Sequence, residues 1–326
     1  MHALLKTFRT ILINDAWFFV FMYDYTYWGL TSLSGMDNMA LEEHFLQDSA
    51  EKKTAHMRFY DFSKDTVVLG YSQATDAVKK WSSDFHVVRR ASGGSHVHVG
   101  KNVLAYSFIV PRDGSFVNHQ DFRIYYADKV AQALEQAGLS NITTDHRAST
   151  IMKDGKVIAS HAVTWGVKSA LLHGLIMIDP YNMQSILNRI KLNTRMIGNK
   201  TYHEADALAH IPTVTKSFSE LKPHATPEQK TLFCKQLLTN NILHSVAKTN
   251  FKSRLLTNEV LSKAELLQRT RYATERWVMQ RDPTFTPEQI EEMPGEKLDG
   301  PLNKNQGYCL YIQVPDKDFK NMTGPD

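Results

Sequence analysis

The sequence predicts an α+β fold: a mixed, largely antiparallel sheet flanked by helices, with a small C-terminal domain. Three observations carry this. Strand-like runs follow one another without the regular strand–helix–strand alternation of a parallel sheet. Asp154-Gly155 stands between Ile151-Met152-Lys153 and Lys156-Val157-Ile158, and Asp-Gly supplies the two positive φ values of a tight hairpin turn. Asp121 to Ala137 places Ile124, Ala127, Ala131 and Leu134 at helical spacing and is closed by Gly138.

In chain order, residues 1–30 read as an N-terminal extension. Its apolar run, Ala16 to Tyr23, is bracketed by Asp15 and Asp24 and falls well short of the ~20 apolar residues of a membrane span. Met39 to Gln47 reads as a short helix, with Leu41 and Phe45 one turn apart. Met57-Arg58-Phe59-Tyr60 and Thr66-Val67-Val68-Leu69 read as paired strands split by Asp61–Asp65. His86-Val87-Val88 is a further short strand, and Val103 to Val110 a longer one ended by Pro111. Leu171 to Ile178 is a nearly continuous apolar strand. Thr226-Pro227-Glu228-Gln229 and Thr286-Pro287-Glu288-Gln289 each read as a helix start, with Thr as N-cap, Pro in the first turn and Gln completing a capping box. A shift in composition near His244–Phe251 separates a large domain of residues 31–245 from a small accessory domain of residues 250–326.

Composition narrows the function. With 42% hydrophobic and 22% charged residues, the 326-residue chain has the means to bury a sizeable core. A net charge of +4 with no tract of five basic residues gives no footprint for nucleic acid. Nothing in the pattern points to a membrane. Two cysteines, Cys234 and Cys309, are too few for a disulfide framework, so a reducing compartment such as the cytoplasm is expected. Lys6 and Arg9 precede the first acidic residue, which keeps a mitochondrial transit segment, and so the matrix, open.

Two stretches carry chemistry. In Arg89-Arg90-Ala91-Ser92-Gly93-Gly94-Ser95-His96-Val97-His98, a strand runs into two arginines and a small-residue turn. Glycines there let backbone N–H groups approach an anion, and an adjacent arginine can clamp a phosphate or carboxylate. No G-x-x-x-x-G-K-[ST] is present, so this is not a P-loop. In Gly155-Lys156-Val157-Ile158-Ala159-Ser160-His161-Ala162, followed by Leu172-His173-Gly174, small residues along a strand leave room for a ligand.

Order and spacing here resemble the lipoate–protein ligase A family, whose catalytic domain is shared with biotin ligases and octanoyltransferases. Arg58-Phe59-Tyr60 through Tyr71-Ser72-Gln73 resembles the family's V-x-G-x-x-Q strand pair. Arg89 to Gly94 matches its R-R-x-S/T-G-G loop. Gly155 to Ala159 with His173-Gly174 resembles its G-x-K-[IV]-x-G strand and following H-G. Arg271-Tyr272-Ala273-Thr274-Glu275-Arg276-Trp277 resembles the K-Y-x-S/T-x-E-W of its small C-terminal domain. The resemblance implies a biotin/lipoate ligase-like fold and a ligase that activates lipoate with ATP and magnesium to lipoyl-adenylate. The acyl group would then pass to a lysine of a lipoyl-carrier domain, of the 2-oxoacid dehydrogenase E2 or glycine-cleavage H-protein type. It implies that Arg90 holds the phosphate or carboxylate, that Gly93, Gly94, Ser95, His96, Val97 and His98 cradle the adenylate, and that Tyr71 and Gln73 form the pocket wall.

The chain departs from the family at the loop, where Ser95 and His96 stand in place of the usual Gly and Ala and Val99 in place of a histidine, and at one strand. Family spacing from His173-Gly174 puts Val157 where a lysine is usual, Ser160 where glycine is usual, and His161 in place of a small residue. Neighbouring strand residues face opposite sides, so Lys156 becomes the catalytic cation only if a bulge or slip turns it inward; Lys168 is a remoter substitute. A non-catalytic member that keeps the acyl pocket or a partner surface is one alternative. An octanoyl or lipoyl transferase is another, and would need a nucleophilic cysteine near the pocket. His96, His98, His161 and His173 suggest a metal site, but no Asp/Glu spacing supports it and no resident metal is expected.

Overall fold

The computed structural model describes residues 9–13, 16–20, 23–73, 75, 86–94, 96–180, 194–197, 200–203, 213–218 and 224–280. An antiparallel hairpin of β1 (Arg9–Ile13) and β2 (Ala16–Val20) comes first. It is followed by β3 (Tyr25–Leu33), α1 (Gly35–Lys52), β4 (Ala55–Phe62), β5 (Thr66–Leu69), β6 (His86–Arg89), β7 (Val97–Val99) and β8 (Val103–Pro111). Next are α2 (His119–Gln136), β9 (Ile142–Asp145), β10 (Thr150–Lys153), β11 (Lys156–Trp165) and β12 (Ser169–Met177). After a second hairpin, β13 (Thr194–Ile197) and β14 (Lys200–His203), and one helical turn at Val214–Ser217, come α3 (Pro227–Ala247), β15 (Phe251–Ser253) and α4 (Asn258–Leu267). Two π-helical turns, Gln268–Tyr272 and Arg276–Gln280, complete the described chain.

Eight strands form the main sheet in the order β15-β3-β4-β8-β12-β11-β10-β9. The first three are parallel, and every later neighbour is antiparallel. Strands β4, β8 and β12 are buried on both faces, which is why they read as continuous apolar runs rather than alternating ones. On one face α2 and α3 enclose a core that includes Phe59, Tyr106, Phe108, Phe122, Tyr126, Leu172 and Leu238. On the other, Leu41 and Phe45 of α1 and Ala264 of α4 share a second core with Val68, Val88 and Val99 of a three-stranded sheet, order β6-β5-β7. Side-chain alternation sorts the polar residues between these faces. Phe59, Tyr106, Gly174 and His161 stand opposite one another across four strands, toward α2. The adjacent row, Arg58, Ser107, His173 and Ala162, faces α1.

The hairpin at Asp154-Gly155 has the predicted geometry, with φ of 52° and 74°. Thr226 and Gln229 form the predicted capping box at the start of α3; the matching Thr286–Gln289 segment lies outside the described residues. Other elements differ. β4 and β5 do not pair: β4 lies between β3 and β8, whereas β5 is the centre of the smaller sheet. Both hydrogen-bonding edges of β4 are taken, by β3 and β8, so the chain turns at Ser63–Asp65 and begins a new sheet. α1 extends beyond Met39–Gln47 at both ends, capped by the Ser34 hydroxyl on the Asp37 N–H. In α2 the buried stripe includes Phe122, Tyr126 and Val130, and Ile124 is only half-buried, because Tyr126 stacks on Phe108 of the sheet at 4.8 Å. The division expected at residue 30 falls inside β3. Past the division expected near residue 250, β15 pairs with β3, and Ala264 of α4 joins the α1 core. No helix among the described residues is long and apolar enough to cross a membrane.

His161 is buried under α2, and among the described residues neither ring nitrogen has a hydrogen-bond partner. Burial, then the charges of Arg123 and His146, push its pKa down to about 4. A proton therefore binds the unfolded chain better than the folded one. Stability is intact above about pH 6.5 and falls as pH drops toward 4, by about 3 kcal/mol in all, because each pH unit crossed between the two pKa values costs ~1.4 kcal/mol. Urea denaturation across this range should give a midpoint that declines in the wild type and stays flatter in His161→Asn. Parallel pH profiles for the two proteins would refute the assignment.

Candidate functional site

The site begins with α1. Its turn-by-turn spacing puts Asn38 and Glu42 on the face that meets the sheet, and both are buried. A carboxylate out of water must be paired or lose its charge. Glu42 is paired three times over: Oε2 takes a hydrogen bond from His173 Nδ1 at 2.7 Å, Oε1 takes one from Tyr60 Oη at 2.6 Å, and Arg58 lies close enough to act on its charge. Burial raises its pKa, but His173, Arg58 and Tyr60 together outweigh that and hold it below the ordinary carboxylate range. Arg58 is anchored to the Asn38 carbonyl (3.1 Å) and side-chain oxygen (2.8 Å), and its guanidinium lies 4.4 Å from the centre of the Tyr60 ring.

With Nδ1 donating to Glu42, His173 Nε2 is the acceptor in the tautomer this network selects. The Ser92 hydroxyl meets it at 2.6 Å. Ser92 Oγ also receives Arg90 Nε at 2.9 Å. Arg90 is buried, which pulls its pKa down to about 10, and it further donates to the carbonyls of Val68 (3.2 Å) and Gly93 (2.5 Å). The arginine loop and the H-G strand, 81 residues apart in sequence, therefore share one buried cluster.

Arg89 plays a different part. It is fully buried and ties the carbonyls of Gly70, Tyr71, Gln73 and Val278 together, while Trp277 Nε1 donates to the Arg89 carbonyl at 2.8 Å. Tyr272 Oη and Arg271 both bond the Glu43 carboxylate on α1. The Arg271–Trp277 motif thus locks the C-terminal segment over the loop.

The other expected residues fall into three groups. Around the loop, Gln73 Nε2 bonds His96 Nδ1 at 2.5 Å, Val97 packs on the α1 core, and His98 pairs with Val67 at the edge of the small sheet. Tyr71 is 41% exposed with its ring 5.9 Å from Trp277, and Gly93 and Gly94 are exposed at the loop tip. Ser95 lies outside the described residues. On β11, Ser160 stands opposite Leu175, beside Ala162 and on the same face as His173. Two are not brought to the cluster. His161 lies on the opposite face of the sheet. Lys156 is exposed at the hairpin end, a strand distance of roughly 15–20 Å from the register of His173.

A bulge decides the face of Lys156. Ile151 pairs with Ala159 but Met152 with Val157, so Ile158 is an extra residue on β11, and Ile158 and Ala159 both enter the α2-side core. That reverses the alternation beyond it: Val157 joins the His173 face and Lys156 leaves it. Lys168 is exposed in the β11–β12 turn. No group of three or more His, Cys, Asp or Glu side chains among the described residues could hold a metal. Cys234 is buried in α3 within the α2-side core, where burial pushes its thiol up to about 12, so it is no nucleophile. Cys309 lies outside the described residues.

Residues 34–222 match the model of the lipoyl protein ligase A/B catalytic domain family. The chain belongs to that family. It is 25% identical over 260 residues to lipoate–protein ligase 1 of Staphylococcus aureus, covering 78% of this chain and 73% of the relative. It is 26% identical over 281 residues to octanoyltransferase LipM of Brevibacillus brevis, covering 77% and 96%. Its fold resembles the structure of lipoate–protein ligase A bound with ATP, at a TM-score of 0.61 and 16% identity over 79% of this chain and 99% of that one. The family therefore spans ligases and transferases of the lipoyl type, and the Arg90–Ser92–His173–Glu42 cluster lies within the matched region. Glu42 was not singled out from sequence, and Arg58 and Ser92 were quoted only as members of motifs, without a role. The signal for Glu42 and Arg58 was a charge inside an apolar pattern: Glu42 sits between Met39 and Phe45, and Arg58 between Met57 and Phe59.

Gly70 sets the loop against its neighbour. A Cβ there would lie 1.9 Å from the Gly94 carbonyl oxygen. Gly70→Ala must push the two segments apart, and should cost about 1–3 kcal/mol in urea denaturation. A variant as stable as the wild type would mean that the two backbones are not in contact.

Proposed function

We propose that this protein activates lipoate with ATP to lipoyl-adenylate, releasing pyrophosphate, and transfers the acyl group to a lysine of a lipoyl-carrier domain. The observation that carries the reading is the junction of the arginine loop with the H-G strand through Ser92 and His173. Arg90 is buried and bonded to Ser92 and Gly93, and in this reading the acyl phosphate lies along the loop beside it. Gly93, Gly94 and the Ser95–His98 stretch supply backbone donors to the phosphate, Arg90 offsets its charge, and Tyr71 and Gln73 edge the nucleotide end. Ser160 and Ala162, small residues on the His173 face, leave space for the acyl chain. Magnesium enters with ATP, bound chiefly through the phosphate oxygens. The carrier would be a small domain of the 2-oxoacid dehydrogenase E2 or glycine-cleavage H-protein type, in the cytoplasm or mitochondrial matrix. The match to a lipoate–protein ligase and the likeness to an ATP-bound ligase support this reading.

Val157 favours a second one. The residue that the bulge turns onto the His173 face carries no charge, and a preorganised cation at a reacting centre is typically worth ~10²–10³ in rate. The chain would then take an acyl group already activated elsewhere and act as a lipoyl or octanoyl transferase, or hold it without turnover.

Two assays divide these readings. Purified protein with ATP, magnesium, lipoate and a carrier domain should release pyrophosphate and lipoylate the carrier. Transfer from preformed lipoyl-adenylate without pyrophosphate release from ATP would select the transferase, and tight binding with neither product the non-catalytic member. Arg90→Ala should weaken lipoyl-adenylate binding by about 10²-fold, with partial recovery in Arg90→Lys; unchanged affinity by calorimetry would remove Arg90 from the site. Val157→Lys should raise adenylate formation by at least about tenfold. No gain in a stably folded Val157→Lys would separate this position from the reacting atoms.

A further inference from the structure

We infer that Ser92 is a nucleophile that carries the acyl group as a covalent serine ester, with His173 as its base and Glu42 as the residue that positions the base. The inference rests on the reading above that the site receives an activated acyl group. Three separate elements, the loop after β6, strand β12 and helix α1, bring these side chains into a directed chain. Ser92 Oγ lies 2.6 Å from His173 Nε2, and His173 Nδ1 lies 2.7 Å from Glu42 Oε2. A nucleophile bonded to a base, with the base oriented by a buried carboxylate through its other nitrogen, is the geometry that activates a hydroxyl.

Four features go beyond a structural hydrogen bond. The three residues are 1%, 7% and 3% exposed, so the proton chain lies in a low-dielectric setting. Arg90 Nε, on the Ser92 oxygen at 2.9 Å, stabilises negative charge developing there. Tyr60 Oη fills the other oxygen of Glu42, leaving Oε2 committed to His173. The next residue, Gly93, is exposed, and a Cβ on it would meet nothing within 4 Å.

The chemistry balances without oxidation or reduction. Ser92 Oγ attacks the carbonyl carbon of an acyl thioester or acyl phosphate anhydride, forming the O–C bond as its proton passes to His173 Nε2. The C–S or C–O bond to the leaving group breaks. A thiolate takes that proton; a phosphate leaves as its anion, and the proton is lost to solvent. A neutral lysine amine of the carrier then attacks the ester. The N–C bond forms, an amine proton moves to His173 Nε2 and on to Ser92 Oγ, and the ester bond breaks.

The test uses the full chain with p-nitrophenyl octanoate as acyl donor, acid quenching and peptide mass mapping, beside transfer from preformed lipoyl-adenylate to a carrier domain. The expected result is a burst of nitrophenolate near one equivalent, an octanoyl group on the Ser92 peptide, and loss of both burst and transfer by about 10³-fold in Ser92→Ala and His173→Asn. Ser92→Cys, chosen to preserve packing, should trap a hydroxylamine-labile thioester at the same position. Glu42→Gln should lower the acylation rate and shift the midpoint of its pH profile downward, because the imidazolium loses its counter-charge; a lower rate on an unshifted profile would make Glu42 structural only. Carrier lipoylation by a wild type that never acylates Ser92, or acylation mapped to another residue, would overturn the nucleophile and leave the ligase reading intact. A wild type that neither binds lipoyl-adenylate nor modifies a carrier, yet acylates Ser92, would overturn the ligase reading and leave the nucleophile.

Discussion

A carboxylate in the interior of this protein organises most of what surrounds it. Glu42 on α1 is 3% exposed, and a charge so placed is tolerable only with partners on every side. Those partners come from β4 (Arg58 and Tyr60) and from β12 (His173), and through His173 the chain of bonds reaches Ser92 and Arg90. Helix, sheet and loop are thereby held in one register. Hydrophobic contact alone would allow α1 to slide or rotate on the sheet, because apolar packing is non-directional. The hydrogen bonds that Glu42 accepts from Tyr60 and His173 remove that freedom.

The polar chain also explains why two arginines stand side by side. Arg89, at the end of β6, turns into the protein and gathers four carbonyls, one of them from Val278 far along the chain. Arg90 turns to the other side and serves Ser92 and Gly93. One arginine builds the loop and the other equips it. Trp277 and Tyr272 then cover this arrangement, with Trp277 bonded to the Arg89 carbonyl and Tyr272 to Glu43, the helix neighbour of Glu42. Residues expected from sequence to belong to a separate small domain are thus bonded to the arginine loop and to α1.

Much of this could be read from the chain. The Asp154-Gly155 hairpin, the Thr226 capping box and the buried strands β8 and β12 follow from local rules about turns, caps and periodicity. What could not be read turns on single residues. The extra residue Ile158 reverses the faces of Lys156 and Val157, and nothing in the letters Lys-Val-Ile-Ala marks where a bulge will fall. His161 and His173 look equivalent as histidines in neighbouring strands, yet the antiparallel register pairs Ala162 with His173, so His161 lies on the far side of the sheet.

By itself the sequence determined most element types and the largely antiparallel sheet, because these depend on short-range conformational preference and on the period of apolar residues. Tertiary structure alone decided that Glu42, Ser92 and His173 meet, that Arg89 and Arg90 divide their duties, and that Lys156 faces away. Each of these depends on register between strands and helices distant in sequence. A shift of one residue there moves a side chain to the opposite face while leaving every local signal unchanged.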